Sequence, residues 1–521
     1  MNIETAKELL EELARWGVSE FAVCAGARNS PLVSVLSKCT NAKIYSFFEE
    51  RSAAFFMLGR ARALGLPTAV ITTSGTAAAE LLPAMVEAHY SGVPLVAVTA
   101  DRPSRMRGTG APQTIEQTNL FKNFAEIELD IENTKPKISD WSLLRPLHLN
   151  IRFDEPLLDK KADSWSLPHK TKTPSPAASF SYLKVSQFLS RTKCPLVVVG
   201  GLTTEEEREA ILKLLSSTGL PAYIEAQSGI REKYPHSLKS GDAFLSYALK
   251  NKLVDSILRI GSIPTSRVWR DLENPQARVP VLSLSHLQFS GLSESEHVPG
   301  EWWNWNLDCK LSSEQMQAAK DLLTLDEKFA SQLNEYFSIK NSEPAWFKHL
   351  SEQIPASALV YLGNSLPIRE WDLSADRTIP RVALANRGAN GIDGQISTFL
   401  GLCAGEDVSE AWCIVGDLTA MYDLAAPWIL KSLSKKKIRI VVVNNGGGMI
   451  FHRIFNDPLF ENQHDISFDH WAKMWKFDYL KAEDQKSSFA NLSNHVVIEV
   501  VPSALATQEF YDRYDQIWKT K

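Results

Sequence analysis

Cysteine is scarce and scattered, with six residues along 521 and no CxxC pair. That excludes a disulfide framework and a zinc ribbon, and it fits a reducing cytosol. An excess of positive charge is also lacking. Lys and Arg total 56 against 61 Asp and Glu, a net charge of -5, so no basic stripe for nucleic acid is present. No apolar run reaches the ~20 residues that span a bilayer. The first segment, MNIETAKELLEELARWG, places Ile3, Ala6, Leu10, Leu13 and Trp16 at helical spacing, which marks an amphipathic helix and not a signal peptide. A cytoplasmic location is expected. Neither GxGxxG nor a Walker signature occurs, which argues against a non-catalytic nucleotide-binding protein.

What is present is an ordinary globular mix, 44% hydrophobic and 22% charged, in a chain too long for one core. Strand-like runs alternate with helix-like ones. FAVCAG, PTAVITTSG and PLVAVTADRP read as strands in the first third, with TAAAELLPAMVEAHYSG as one helix between them. CPLVVVGG, VDSILRIGS and VPVLSLS are strands of the middle third, and TTEEEREAILKLLSS is a charged helix. ALVYLGNS, RVALANRG, AWCIVGDL and IRIVVVNNGGG each end a β-rich run of the last third. Such alternation predicts α/β units with parallel sheets. A polar linker is expected at 169–179, and a second boundary between EWWNWN and SEPAWF. The expected domains are 1–176, 180–335 and 343–521. The Gly-Gly of VVVGG is read as a strand-to-helix turn, since no GxGxxG follows.

The most informative local pattern spans 416–447. Gly416-Asp417-Leu418 ends one strand-like run, 25 residues follow, and Asn444-Asn445-Gly446-Gly447 ends the next. The segment between, TAMYDLAAPWILKSL, reads as one helix. A βαβ unit puts both polar ends on the sheet rim where α/β proteins bind ligands. Magnesium takes oxygen ligands, commonly one or two carboxylates beside substrate phosphates. Asp417 offers a carboxylate, Asn445 an amide oxygen and Gly447 a backbone carbonyl. N–H groups after Gly416, at a helix start, favour a diphosphate. The alternative is a helix cap at Asp417 and an Asn-Asn turn. Early in the chain, Glu50 lies between the aromatic run YSFF and a small-residue helix. Beside Phe47, Phe48 and Phe55 its carboxyl is expected to be desolvated and its pKa raised.

Taken together, FFEER, TTSGTAAAELLPA, VTADRP, GAPQTI, GNSLPIR, NRGANGID, GDLTAMYDL and VVVNNGGGMIF, in that order, resemble the 2-succinyl-5-enolpyruvyl-6-hydroxy-3-cyclohexene-1-carboxylate synthase family of menaquinone biosynthesis. The resemblance implies a three-domain thiamine diphosphate-binding fold. It implies a transferase that decarboxylates 2-oxoglutarate and adds the succinyl carbanion equivalent to isochorismate in a 1,4-addition. Its cofactors would be thiamine diphosphate and magnesium, with manganese as a substitute. By the same resemblance Glu50 activates the cofactor. Ser74, Gly75, Thr76, Ile392, Gly416, Asp417, Leu418 and Asn445 bind it, and Asp417, Asn445 and Gly447 hold the metal. Choosing Asn445 over Asn444 assumes one extra residue in the loop SKKKI. Arg28, Arg102, Gln113, Ser365, Arg369, Arg387, Ile450 and Phe451 would contact substrate. The active unit would be a homodimer with sites at its interface, the step from dimer to tetramer being left open. Both substrates are dicarboxylates, and the four arginines all follow strand ends, where a planar guanidinium fork suits a carboxylate. Leu418 stands where the family's motif has a second glycine. Ala25 and Ala27 replace a proline and a serine of the family pattern, and a central basic pair is reduced to Arg267 followed by Val268. The neighbouring reading is another thiamine diphosphate-dependent 2-oxoacid decarboxylase or carboligase.

Overall fold

The computed structural model describes residues 2–174, 183–300, 310–405, 407–455 and 457–519. Among the described residues, seventeen strands form three sheets. The first holds β1 (Glu20–Cys24), β2 (Lys43–Phe47), β3 (Thr68–Thr72), β4 (Leu95–Asp101), β5 (Ile127–Ile131) and β6 (Leu147–Arg152). The second holds β7 (Pro195–Val199), β8 (Ala222–Ile224), β9 (Ser256–Ile260), β10 (Val281–Ser285) and β11 (Glu296–Pro299). The third holds β12 (Leu359–Leu362), β13 (Ala383–Leu384), β14 (Glu410–Gly416), β15 (Lys437–Val443), β16 (Asp478–Ala482) and β17 (His495–Val500). The pairings are parallel, as in β3 with β4 and β14 with β15. Strands such as TAVIT and LVAVTAD are buried at every position, because helices cover both faces of such a sheet.

The first and third sheets share one topology. Their orders are β2-β1-β3-β4-β6-β5 and β13-β12-β14-β15-β17-β16. In each, the strand order reverses beside the first strand, and the loops leaving the two strands flanking that point open a crevice at the carboxyl edge. In the first sheet these loops are 25–29 and 73–75; in the third they are 363–365 and 417–418. Alternate residues of the middle sheet enter opposite cores: Val198 and Ile257 face one, Val197, Val199 and Leu258 the other.

Contacts gather the chain into two compact units. One is 1–176 with 388–408 and 420–436; the other is 177–387 with 409–419 and 437–521. In the first unit, the helices Glu50–Leu64 and Gln395–Cys403 cross closely at glycines. A Cβ on Gly59 would lie 2.1 Å from the Thr398 carbonyl oxygen, and one on Gly401 2.1 Å from that of Phe56.

Several expectations change in detail. TAAAELLPAMVEAHYSG is two helices, Thr76–Ala79 and Leu82–Ser91, the second with Pro83 in its first turn, where the missing proline N–H costs nothing. TAMYDLAAPWILKSL is likewise broken, into the end of the helix Asp417–Tyr422 and the 3-10 turn Ala426–Leu433 at Pro427. The run RVALANRG yields only a two-residue strand. The Gly200-Gly201 turn is tightly packed, a Cβ on Gly200 meeting the Ser262 carbonyl at 2.3 Å, which agrees with its reading as a turn. The charged middle helix starts with a capping box, Thr204 accepting from the Glu207 N–H. Of the linker at 169–179, Thr171 and Lys172 both donate backbone N–H groups to Arg15 O, and 175–179 lie outside the described residues. EWWNWN also lies outside them. The stretch that follows contains the helix Ser313–Tyr336, whose Leu322, Phe329 and Leu333 enter the core of the middle sheet.

Candidate active site

In the second unit, β14 delivers Asp417 and β15 delivers Asn444 to Gly447 at the crevice of the third sheet. Asp417 is 2% exposed. Its Oδ2 accepts the N–H groups of Gly446 and Gly447, both at 2.9 Å, and its Oδ1 accepts the Leu418 N–H at 2.6 Å. Burial raises its pKa against these three donors. His464 Nε2 stands 3.3 Å from Oδ2. Gly446 and Gly447 have φ of 84° and 145°, and a Cβ on Gly447 would meet Glu461 O at 2.4 Å. Glycine is therefore required there. The Gly447 carbonyl accepts from Met449 N–H at 2.9 Å, which leaves its second lone pair.

The two asparagines differ. Asn444 Nδ2 donates to Ile466 O (2.7 Å) and to Glu499 Oε1 (2.8 Å), bracing the loop. Asn445 Nδ2 donates to Glu343 Oε2 at 3.0 Å. Its Oδ1 is buried with no hydrogen-bond partner among the described residues. A buried acceptor of this kind fits a cation ligand, since an orphaned polar atom is otherwise costly. Among the described residues no three His, Cys, Asp or Glu side chains gather as a metal cluster; the donors here are a carboxylate, an amide and a carbonyl, the hard oxygen set that suits magnesium. A Cβ on Gly416 would meet nothing within 4 Å among the described residues.

Two of the arginines share this unit. Arg369 Nη1 donates to Ser365 O at 2.6 Å, and Arg387 Nη1 to Asn364 Oδ1 at 2.8 Å. Ser365 has φ 72° at the start of the helix Leu366–Ser374, an uncommon backbone for a non-glycine residue. Arg369 is held below its ordinary pKa by burial, opposed by Asp242. Ile450 and Phe451 follow the glycine loop in the turn Met449–Phe451, and the Phe451 ring lies 6.0 Å from Phe455 and 6.2 Å from Phe460. Val268 is buried in the middle core, whereas Arg267 is exposed and lies 3.8 Å from Asp271.

The first unit contains the other group. Glu50 starts the helix Glu50–Leu64, which Glu49 caps by accepting the Arg51 and Ser52 N–H groups. Burial raises the Glu50 pKa, and Glu49 and Glu80 add to it. This matches the expected direction, though not all of the expected aromatic wall: Phe47 packs on Phe56, while Phe48 is 55% exposed against Trp428. Ser74 Oγ donates to Gln113 O (2.9 Å), and Gln113 Nε2 to Ser74 O (3.1 Å). Gly75 N–H donates to Gln117 Oε1 at 2.9 Å. Thr76 is exposed at the next helix start. Arg28 donates to Phe153 O (2.9 Å) and pairs with Glu155 (3.4 Å), and burial and the nearby Arg102 lower its pKa. Arg102 Nη2 donates to Pro112 O at 3.0 Å. Ile392 is half-buried in the loop 388–394, which Glu87 anchors by accepting the N–H groups of Gly388 and Ala389.

The structure thus joins Asp417, Asn445 and Gly447, joins Ser74, Gly75 and Gln113, and brings Arg28 near Arg102. Glu50 and Ile392 lie in the first unit, and Asp417 and Asn445 in the second. Glu343, Glu87, Gln117 and His464 are not evident from sequence. A first-turn Glu beside Pro, as in SEPAWF, reads as an ordinary helix start.

Residues 3–120 match the family described as "Thiamine pyrophosphate enzyme, N-terminal TPP binding domain". The chain is 45% identical to the 2-succinyl-5-enolpyruvyl-6-hydroxy-3-cyclohexene-1-carboxylate synthase of Bdellovibrio bacteriovorus over 99% of both chains. It is 36% identical to that of Akkermansia muciniphila over 96% of this chain and 97% of the relative. The synthase of Bacillus pumilus is 29% identical over 91% of this chain and 89% of its own. Parallel sheets, a thiamine diphosphate-binding N-terminal region and end-to-end similarity lead to one conclusion: the chain belongs to the 2-succinyl-5-enolpyruvyl-6-hydroxy-3-cyclohexene-1-carboxylate synthase family of thiamine diphosphate enzymes.

Proposed function

We propose that this enzyme decarboxylates 2-oxoglutarate and adds the remaining four-carbon unit to isochorismate, with thiamine diphosphate and magnesium as cofactors. The observation that supports it best is the buried, unpartnered Asn445 Oδ1 beside Asp417 in a chain similar end to end to synthases of that name. When bound, thiamine diphosphate supplies a nucleophilic carbon and a sink for the charge left by loss of CO2. Asp417, Asn445 and the Gly447 carbonyl would hold magnesium, or manganese in its place, against the diphosphate. Glu50, its pKa raised by burial, would hold and move a proton at the aminopyrimidine. Ser74, Gly75, Thr76, Ile392, Gly416 and Leu418 would line the cofactor.

Arg28, Arg102, Arg369 and Arg387 would bind the substrate carboxylates, with Gln113 and Ser365 as polar contacts. Each guanidinium is already oriented by a bond to its own unit, so less freedom is lost on binding. Ile450 and Phe451 would shield the apolar side from water. The working form would be a cytoplasmic homodimer, each site taking Glu50 from one chain and Asp417 from its partner. Its three domains would be 1–176, 180–335 and 343–521. The test incubates the protein with thiamine diphosphate, magnesium and 2-oxoglutarate, with and without isochorismate, and measures product mass. A product carrying both carbon skeletons, formed only with isochorismate, is expected. Decarboxylation with no joined product would overturn the proposal in favour of a simple 2-oxoacid decarboxylase.

A further inference from the structure

Glu343 is 2% exposed, at the first position of the helix Glu343–Gln353. Its backbone is fixed twice. Its N–H donates to Thr507 Oγ1 at 2.9 Å, and Ser342 caps the helix by accepting the Ala345 N–H. Among the described residues it makes no ion pair, and its Oε1 is buried without a partner. Its charged neighbours are acids, Asp417 and Glu370. A buried carboxyl without a cation destabilises a fold. Stability alone is therefore a poor reason for this side chain.

Its side-chain hydrogen bond among the described residues gives a better reason. Oε2 accepts from Asn445 Nδ2 at 3.0 Å. A side-chain amide has a donor end and an acceptor end. With Glu343 ionised, turning Asn445 over would set Oδ1 against Oε2, acceptor to acceptor. The bond therefore selects the orientation in which Oδ1 points away from Glu343, where it is buried and unpartnered. Asn444 is engaged differently, its Nδ2 donating to both Ile466 O and Glu499 Oε1.

We infer that Glu343 is a positioning residue for the metal: it locks the Asn445 amide so that its oxygen is presented as a cation ligand alongside Asp417. This rests on the magnesium reading above. Groups that orient metal ligands typically change metal affinity by about ten- to a hundred-fold when removed.

The test titrates magnesium into protein saturated with thiamine diphosphate, followed by calorimetry, for the wild type, Glu343→Leu, Glu343→Gln, Asn445→Ala and the double variant Glu343→Leu/Asn445→Ala. Thermal melts establish which variants are folded. Magnesium affinity should fall about ten- to a hundred-fold in Glu343→Leu. It should fall less in Glu343→Gln, whose amide oxygen can still accept from Asn445. The double variant should bind no more weakly than Asn445→Ala, because Glu343 acts only through that amide. If Glu343→Leu does not fold, Glu343→Ala, which also removes the acceptor, takes its place. Wild-type affinity in every folded Glu343 variant, with affinity lost in Asn445→Ala, overturns the positioning role alone. So does a double variant weakened by the product of the single effects. Wild-type affinity in Asn445→Ala overturns the magnesium assignment itself.

Discussion

Gly59 tests how the helix that begins with Glu50 is held. A Cβ at this position would lie 2.1 Å from the Thr398 carbonyl oxygen and 3.1 Å from the Gly401 Cα. Neither is a movable side-chain tip, so Gly59→Ala must push the helices Glu50–Leu64 and Gln395–Cys403 apart by about 1 Å to reach ordinary contact. The faces are fully packed: Phe56, Phe399 and Leu400 are each 0% exposed. Overpacking of this kind costs roughly 3 kcal/mol, while alanine returns about 1 kcal/mol of helix propensity. The net loss is about 2 kcal/mol, roughly 4–8 °C in Tm for a unit of this size. Gly401→Ala should cost a similar amount, since its Cβ meets Phe56 O at the same 2.1 Å. Both substitutions demand one separation, so the double variant should lose clearly less than the sum. Melting followed by circular dichroism measures all three. A Gly59→Ala protein as stable as wild type, or strictly additive losses, would refute the close crossing.

Glu50→Gln should fold and bind thiamine diphosphate yet lose roughly 10²–10⁴ in turnover, measured as 2-oxoglutarate-dependent product formation; near-normal turnover removes its proton-transfer role. Arg369→Lys and Arg387→Lys should raise KM for one or both acids while sparing cofactor affinity, because lysine keeps the charge and loses the planar fork; unchanged kinetics in both contradict the clamp. Asp423, fully buried and accepting from Ser397 N–H and Oγ, is raised by burial from 3.8 to about 6. A carboxyl raised on folding binds its proton more tightly in the folded state, so stability falls as pH rises from about 4 to about 6 and stays lower above. The whole effect is about 3 kcal/mol and roughly 1 kcal/mol of it falls between pH 5 and 7. The Tm of wild type relative to Asp423→Asn should therefore drop over that range; a constant difference would count against the buried charge.

Much of this protein can be read along the chain. Continuous apolar runs such as AVI (69–71) and IVVV (440–443) mark strands buried on both faces, because a parallel sheet is covered by helices on each side. The spacing from Asp417 to Asn444-Asn445 places polar groups on one sheet rim, because a βαβ unit returns the second strand in the same direction as the first. Glu50 could be foreseen to have a raised pKa, since its aromatic neighbours adjoin it in sequence. What needed the tertiary structure were contacts between distant residues. Periodicity reports which face is apolar, but not which partner a buried polar atom meets. Thus the different bonding of Asn444 and Asn445 depends on Glu499 and Glu343, the second lying 102 residues from Asn445. The pinning of the loop 388–394 depends on Glu87, 301 residues before Gly388. The close packing of the helix Gln395–Cys403, part of the 388–408 segment that joins the first sheet's unit, involves a glycine-to-glycine helix crossing. A glycine within a helix reads in sequence only as weak helix propensity; its purpose appears when a second backbone lies where its Cβ would be.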